Sequence, residues 1–194
     1  APLKMLSGIL PPSDYSESPH NPFSKGSSAP TNIVKDEEFK AYIQEGPHGI
    51  AIFKNDYEHA LAYAKKVKKP LMIDFTGHNC ANCRKTEDFI WIDEKVQSIL
   101  NNDVVLVSLY ADEDKDLTKE EQKQVTFYGK ERTLETVGDK WKYFEFSKYN
   151  AVQQPLYVIV DTNEKTLEGP RGYESGTDEY IKWLQSGIDK FKAQ

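Results

Sequence analysis

The sequence predicts an α/β fold in which a mixed central sheet is flanked by helices. Three observations carry the prediction. Leu71–Phe75, Val104–Leu109 and Leu156–Val160 are short, nearly continuous apolar runs, the pattern of strands covered on both faces. Helix-compatible runs alternate with the first two, one ending before Leu71 and the other spanning Arg84 to Leu100. After the third run come a turn, a candidate edge strand and a closing amphipathic helix.

The elements follow in order. Residues 1–32 read as a linker or arm, because Pro2, Pro11, Pro12, Pro19, Pro22 and Pro30 are six of the ten prolines and serines are frequent among them. Proline fixes φ and removes a donor, which excludes a regular helix or an inner strand. Residues 33–194 read as one domain. Asp36 to Gly46 is expected to form a short helix with Phe39, Tyr42 and Ile43 on one face, ended by Pro47 and Gly49. Ile50–Phe53 is a short strand candidate. Asn55 or Asp56 then caps a helix in which Tyr57, Ala60, Leu61 and Ala64 recur at helical spacing. Lys65, Lys66, Lys68 and Lys69 suit its C-terminal end, and Pro70 stops it.

Beyond Leu71–Phe75, Thr76–Asn79 turns the chain into a helix opened by Cys80. This helix runs through Phe89, breaks near Asp93 and resumes with Val96, Ile99 and Leu100 as a second apolar stripe. Residues 111–150 exceed the alternating pattern and read as an insertion beside the core sheet. Within them, Asp112–Asp116 is a charge run, Thr118–Glu121 resembles a helix start, and Val125–Leu134 reads as a hairpin turning at Gly129-Lys130. Gly138–Tyr149 is expected to be helical, with Trp141, Phe144 and Tyr149 as its aromatic residues. Thr166–Gly169 is the candidate edge strand, and Thr177 is expected to cap a last helix that buries Tyr180, Ile181, Leu184, Ile188 and Phe191.

A net charge of −6, with no basic patch rich in aromatics, argues against nucleic acid as a partner. No apolar run approaches the ~18 residues of a membrane helix. The chain begins with Ala1 rather than Met, so it is expected to be a processed product or a piece of a longer protein with a targeting or membrane segment upstream. Two cysteines are too few for a secreted disulfide scaffold and point instead to a functional pair.

That pair is Cys80-Ala81-Asn82-Cys83, placed between a strand and a helix. A dithiol exchanges in two steps: one thiolate attacks a partner disulfide, and the second thiol resolves the mixed disulfide. Cys80, at the helix start, has the position in which free N–H groups and the dipole favour a thiolate, so it is assigned as nucleophile and Cys83 as resolving thiol. The competing reading, a zinc half-site, needs a further ligand pair, and His20, His48, His59 and His78 do not supply one by spacing. His78 is either a tuner of Cys80 or a surface residue of the turn. Asp74 interrupts an apolar strand, and Glu87 lies four residues after Cys83 on the same helical face. As buried carboxylates they would take the proton of the resolving thiol and oppose the thiolate; the alternative is a solvated strand end and a helix-surface charge. A cis bond at Gln154-Pro155 would free the preceding backbone for a substrate chain. No cofactor is called for beyond the cysteine pair.

The stretch Lys69 to Glu87, with Asp74 six residues before Cys80 and Glu87 four after Cys83, resembles the C-terminal thioredoxin-like domain of the DsbD family of thiol:disulfide interchange proteins. The resemblance covers roughly residues 54–192, and Ala1 to Pro12 is similar to the segment after that family's last membrane helix. It implies a thioredoxin-like fold with Pro155 as cis-proline. It also implies a domain at the periplasmic side of the inner membrane that takes electrons from the membrane-embedded part of its own chain and passes them to immunoglobulin-like or thioredoxin-like client domains. Asp74 and Glu87 would then raise the nucleophile's pKa. Two departures bear on partner choice: Asn79, counted here with Gln154 and Pro155 as partner-binding, stands where most members have Trp, and block 111–150 is longer than in the enterobacterial form and closer to that of Bacteroides-type bacteria. A stand-alone thiol isomerase or oxidase, and a binding module with a vestigial pair, remain open on the sequence.

Overall fold

The computed structural model describes residues 36–194, and the expected proline-rich arm lies outside the described residues. In chain order the elements are β1 (Ile43–Glu45), β2 (Ala51–Lys54), α1 (Tyr57–Val67), β3 (Leu71–Thr76), α2 (Ala81–Phe89), α3 (Glu94–Asn102) and β4 (Val105–Tyr110). They continue with β5 (Gln124–Phe127), β6 (Lys130–Thr133), α4 (Val137–Tyr149), β7 (Leu156–Val160), β8 (Thr166–Arg171) and α5 (Thr177–Lys192). Six strands form one mixed sheet in the order β1-β2-β4-β3-β7-β8, while β5 and β6 form a separate two-stranded sheet. The three apolar runs of the sequence are its middle: β3 pairs in parallel with β4 and antiparallel with β7.

Side-chain alternation along β3 sorts the core into two layers. Leu71, Ile73 and Phe75 face one cluster, with Tyr63 and Ala64 from α1 and Trp141 from α4. Met72 faces the other, with Val96 and Leu100 from α3 and Tyr180, Leu184 and Ile188 from α5. Asp74 shares the parity of Met72 and so points to the layer of α2, α3 and α5. Gly187 lets α5 settle on β7: a Cβ there would stand 2.6 Å from Ile159 Cδ1. None of these helices, among the described residues, is long and apolar enough to cross a membrane.

Two helix starts lie where the sequence placed a cap (Asn55 or Asp56) and a break (near Asp93). Asp56 accepts from His59 N at the start of α1, and Asp93 accepts from Lys95 N and Val96 N between α2 and α3. Other expectations require correction. Asp36–Gly46 is not a helix; Lys40–Tyr42 makes one 3-10 turn and Ile43 enters β1, paired with Phe53. Ladder bonds to β2 outweigh a short amphipathic pattern that has too few turns to hold itself. Thr118–Glu121 is a hydrogen-bonded turn rather than a helix start, since it carries no apolar face to bury. The hairpin turns at Tyr128-Gly129, both with positive φ (53° and 74°), one residue before the expected position. Gly176, not Thr177, is the N-cap of α5, and Trp183 is buried where the periodicity singled out Phe191, which is half-buried.

Block 111–150 divides in two. The hairpin stands beside the main sheet as an addition, whereas α4 belongs to the core. A capping box between Thr136 and Asp139 starts α4, and Trp141 is 4% exposed against the layer that contains Phe75.

Candidate redox site

β3 delivers the chain to the site and α2 carries it away. Cys80 is the N-cap of α2, and its Sγ accepts from Cys83 N over 3.2 Å. Cys80 and Cys83 form a disulfide with Cα atoms 5.2 Å apart. Cys83 is only 1% exposed, whereas Cys80 is half-buried, so the sulfur within reach of a partner is that of Cys80. The first turn of α2 contains no acid, which leaves the positive end of the helix dipole to Cys80.

The turn before Cys80 is held from outside. Asp112, just past β4, accepts from His78 N (2.8 Å) and Asn79 N (3.0 Å). The His78 ring stacks on Tyr110 at 4.1 Å, and its Nε2 lies 3.3 Å from Glu113 Oε1. His78 is therefore engaged with β4 and the strap after it. Asn79 is exposed on the turn.

Both acids singled out in the sequence are buried. Asp74 is 2% exposed, and its Oδ2 accepts from Ser108 Oγ over 3.0 Å. Burial first, then repulsion from Glu87, pushes its carboxyl up to about 7, against the opposing effects of Ser108 and Arg84. Glu87 is 7% exposed; burial raises its carboxyl, while the Arg84 guanidinium draws it down. Arg84 was not singled out in the sequence. Its Nη2 donates to Thr76 Oγ1 (3.2 Å), Gly77 O (3.0 Å) and Glu87 Oε2 (3.1 Å), tying the turn to α2. The signal was present in the spacing, since Arg84 is four residues after Cys80 and three before Glu87. His48 Nε2 also donates to the Glu87 carbonyl at 2.7 Å.

Gln154-Pro155 is a cis peptide bond. The pairing of Leu156 with Phe75 puts Pro155 at the same end of the sheet as the cysteine pair. The Gln154 side chain turns away from any partner: its Nε2 donates to Glu145 Oε1 over 3.1 Å. Glu145 was missed in the sequence; an acid between Phe144 and Phe146 in a helix with weak periodicity was its only mark.

A buried and a reachable sulfur in one disulfide, at the N-terminus of a helix that follows a central strand, define a thiol:disulfide oxidoreductase domain. A family model for the thioredoxin-like domain matches residues 57–188, and the chain belongs to that family. No curated protein sequence matches the chain. A solution structure of a thioredoxin from Thermus thermophilus is 20% identical, with a TM-score of 0.50, covering 71% of this chain and 87% of that one. A DsbH oxidoreductase is 22% identical, with a TM-score of 0.46 and coverage of 69% and 81%. The oxidised DsbD C-terminal domain of Neisseria meningitidis is 14% identical, with a TM-score of 0.40 and coverage of 66% and 89%.

Proposed function

We propose that this domain is the reducing arm of an electron relay, a protein-disulfide reductase that accepts electrons from a membrane-embedded domain of the same protein and passes them to periplasmic client domains. The observation that carries the reading is the pair of buried carboxylates, Asp74 and Glu87, beside a disulfide of which only one sulfur is accessible. The resemblance of Lys69 to Glu87 to DsbD-type domains supports the same direction of flow and the same place, at the outer face of the inner membrane.

In the reduced domain Cys80 attacks the client disulfide, forming a mixed disulfide and releasing one client thiolate. Cys83 then loses its proton and attacks Cys80 Sγ. The Cys80–Cys83 disulfide forms, the second client thiol leaves, and two electrons have moved from this domain to the client. Asp74, held near neutrality by burial, is suited to receive the Cys83 proton and to return it when the disulfide is reduced again. Two carboxylates near the pair also disfavour the Cys80 thiolate until a docked client changes the surroundings. No group beyond the two cysteines is needed for the exchange.

The test is a redox titration against glutathione. A potential well on the reducing side of the glutathione couple is expected, together with reduction of a client immunoglobulin-like domain by the reduced protein. A strongly oxidising potential would overturn the relay in favour of a stand-alone oxidase or isomerase.

A further inference from the structure

Glu145 is fully buried on α4 and, among the described residues, forms no ion pair. A carboxylate in such a place costs free energy that an apolar residue would avoid, so its hydrogen bonds should indicate what it does. Both oxygens serve one segment: Oε2 accepts from Gln153 N over 3.2 Å, and Oε1 accepts from Gln154 Nε2 over 3.1 Å. The segment is the three-residue approach to β7, at the end of the sheet that bears the disulfide.

We propose that Glu145 is a positioning residue for client docking, which fixes the Gln153–Gln154–Pro155 loop and with it the register of an incoming peptide disulfide. The inference rests on the reading of that loop as the docking edge. Two consequences follow from the bonds. The Gln154 side chain is drawn inward, so the surface it leaves offers a client backbone rather than an amide group. The N–H of Gln153 is already used, so it does not pair with a client strand, and Gln154 is left to do so. On the other side the Gln153 amide lies against Gly172, where a Cβ would stand 2.7 Å from Gln153 Nε2. The loop is thus gripped from beneath by α4 and from the side by the chain after β8.

The experiment compares two oxidants for the reduced protein: insulin, a polypeptide disulfide that must dock, and dithionitrobenzoate, a small disulfide that needs only Cys80. In Glu145→Gln the ratio of kcat/KM for insulin to that for dithionitrobenzoate should fall about tenfold, through KM, the size expected for one charge-assisted hydrogen bond. Amide exchange at Gln153 should rise in the same variant. Gln154→Ala, on the loop itself and without risk to the core, should lower the ratio in the same direction by about threefold, since one of the two bonds remains. An unchanged ratio in both variants, whether the two rates stay level or fall together, would overturn the inference. Pro155→Thr separates the two layers of argument. If it leaves the ratio intact, the docking reading is wrong; if it lowers the ratio while Glu145→Gln and Gln154→Ala do not, the loop docks clients without help from Glu145.

Discussion

Ser108 and Asp74 face each other across the parallel β3–β4 pair, and the serine hydroxyl donates to the buried carboxylate over 3.0 Å. The bond favours the charged form of Asp74, while burial and Glu87 oppose it more strongly. Asp74 is thereby balanced near neutrality beside a cysteine pair. Asp74→Asn should remove a negative charge from the site and lower the Cys80 pKa by about 1 unit. Thiolate ultraviolet absorbance in the reduced protein measures this, and an unmoved titration would exclude coupling. Ser108→Ala should move the Asp74 carboxyl further up.

Stability should fall as pH rises from about 5 to 8. The sign follows from proton counts: Asp74 and Glu145 are each raised to about 7 from ordinary values of 3.8 and 4.5, so in this window the folded chain binds more protons than the unfolded one. Their favourable contribution is complete below the unfolded pKa values and is lost as pH passes through about 7. For Asp74 the loss over this window is on the order of 2–3 kcal/mol. Asp112, Asp161 and Glu168 are shifted down instead and have ionised in both states before this window opens. Denaturant midpoints at several pH values would show the slope, and Asp74→Asn should flatten it.

Removal of the Cys83 thiol should trap the intermediate. Cys83→Ser is expected to accumulate a mixed disulfide between Cys80 and a client, visible by mass spectrometry, while Cys80→Ser should abolish reduction. Burial of Cys83 supports this assignment, and a mixed disulfide formed through Cys83 would reverse it.

Asp112→Ala should loosen the turn before the nucleophile. Two backbone donors, His78 N and Asn79 N, lose their acceptor, at a cost of about 1–2 kcal/mol. Faster amide exchange at those two positions is the direct readout. Gly77→Ala should act in the same direction, because its Cβ would meet Asp112 Oδ2 at 3.3 Å.

Replacement of the β5–β6 hairpin by a short linker should leave the fold and the reactivity of Cys80 toward dithionitrobenzoate intact, since the hairpin shares no ladder with the main sheet. Circular dichroism and the small-disulfide assay would check it.

The parts of this fold legible in the sequence are those where one local signal dominates. Leu71–Phe75 and Leu156–Val160 are apolar enough to read as strands, Asp56 marks a helix start by its side-chain chemistry, and Asp93 is legible only as a break. The cysteine pair was legible for the same reason, and so was the burial of Asp74, an acid set inside an apolar strand. What escaped depends on partners distant in sequence. Ile43 is a strand residue only because Phe53 lies opposite it, and α4 is a core element only because Trp141 meets the layer under Phe75. Arg84 and Glu145 look like ordinary helix charges until the turn at Gly77 and the loop at Gln154 come against them. The Gln154 side chain, grouped with the partner-binding residues, is occupied by Glu145.

The margins of the sheet carry a consequence for assembly. β1 is three residues long, and β8 carries Pro170 and breaks register twice against β7. Short, kinked, proline-bearing borders give a neighbouring chain little to extend. A visiting polypeptide that sought a strand partner on these borders would find no lasting grip. Encounters away from the sulfur should therefore be brief, and release after exchange should not have to compete with a second foothold.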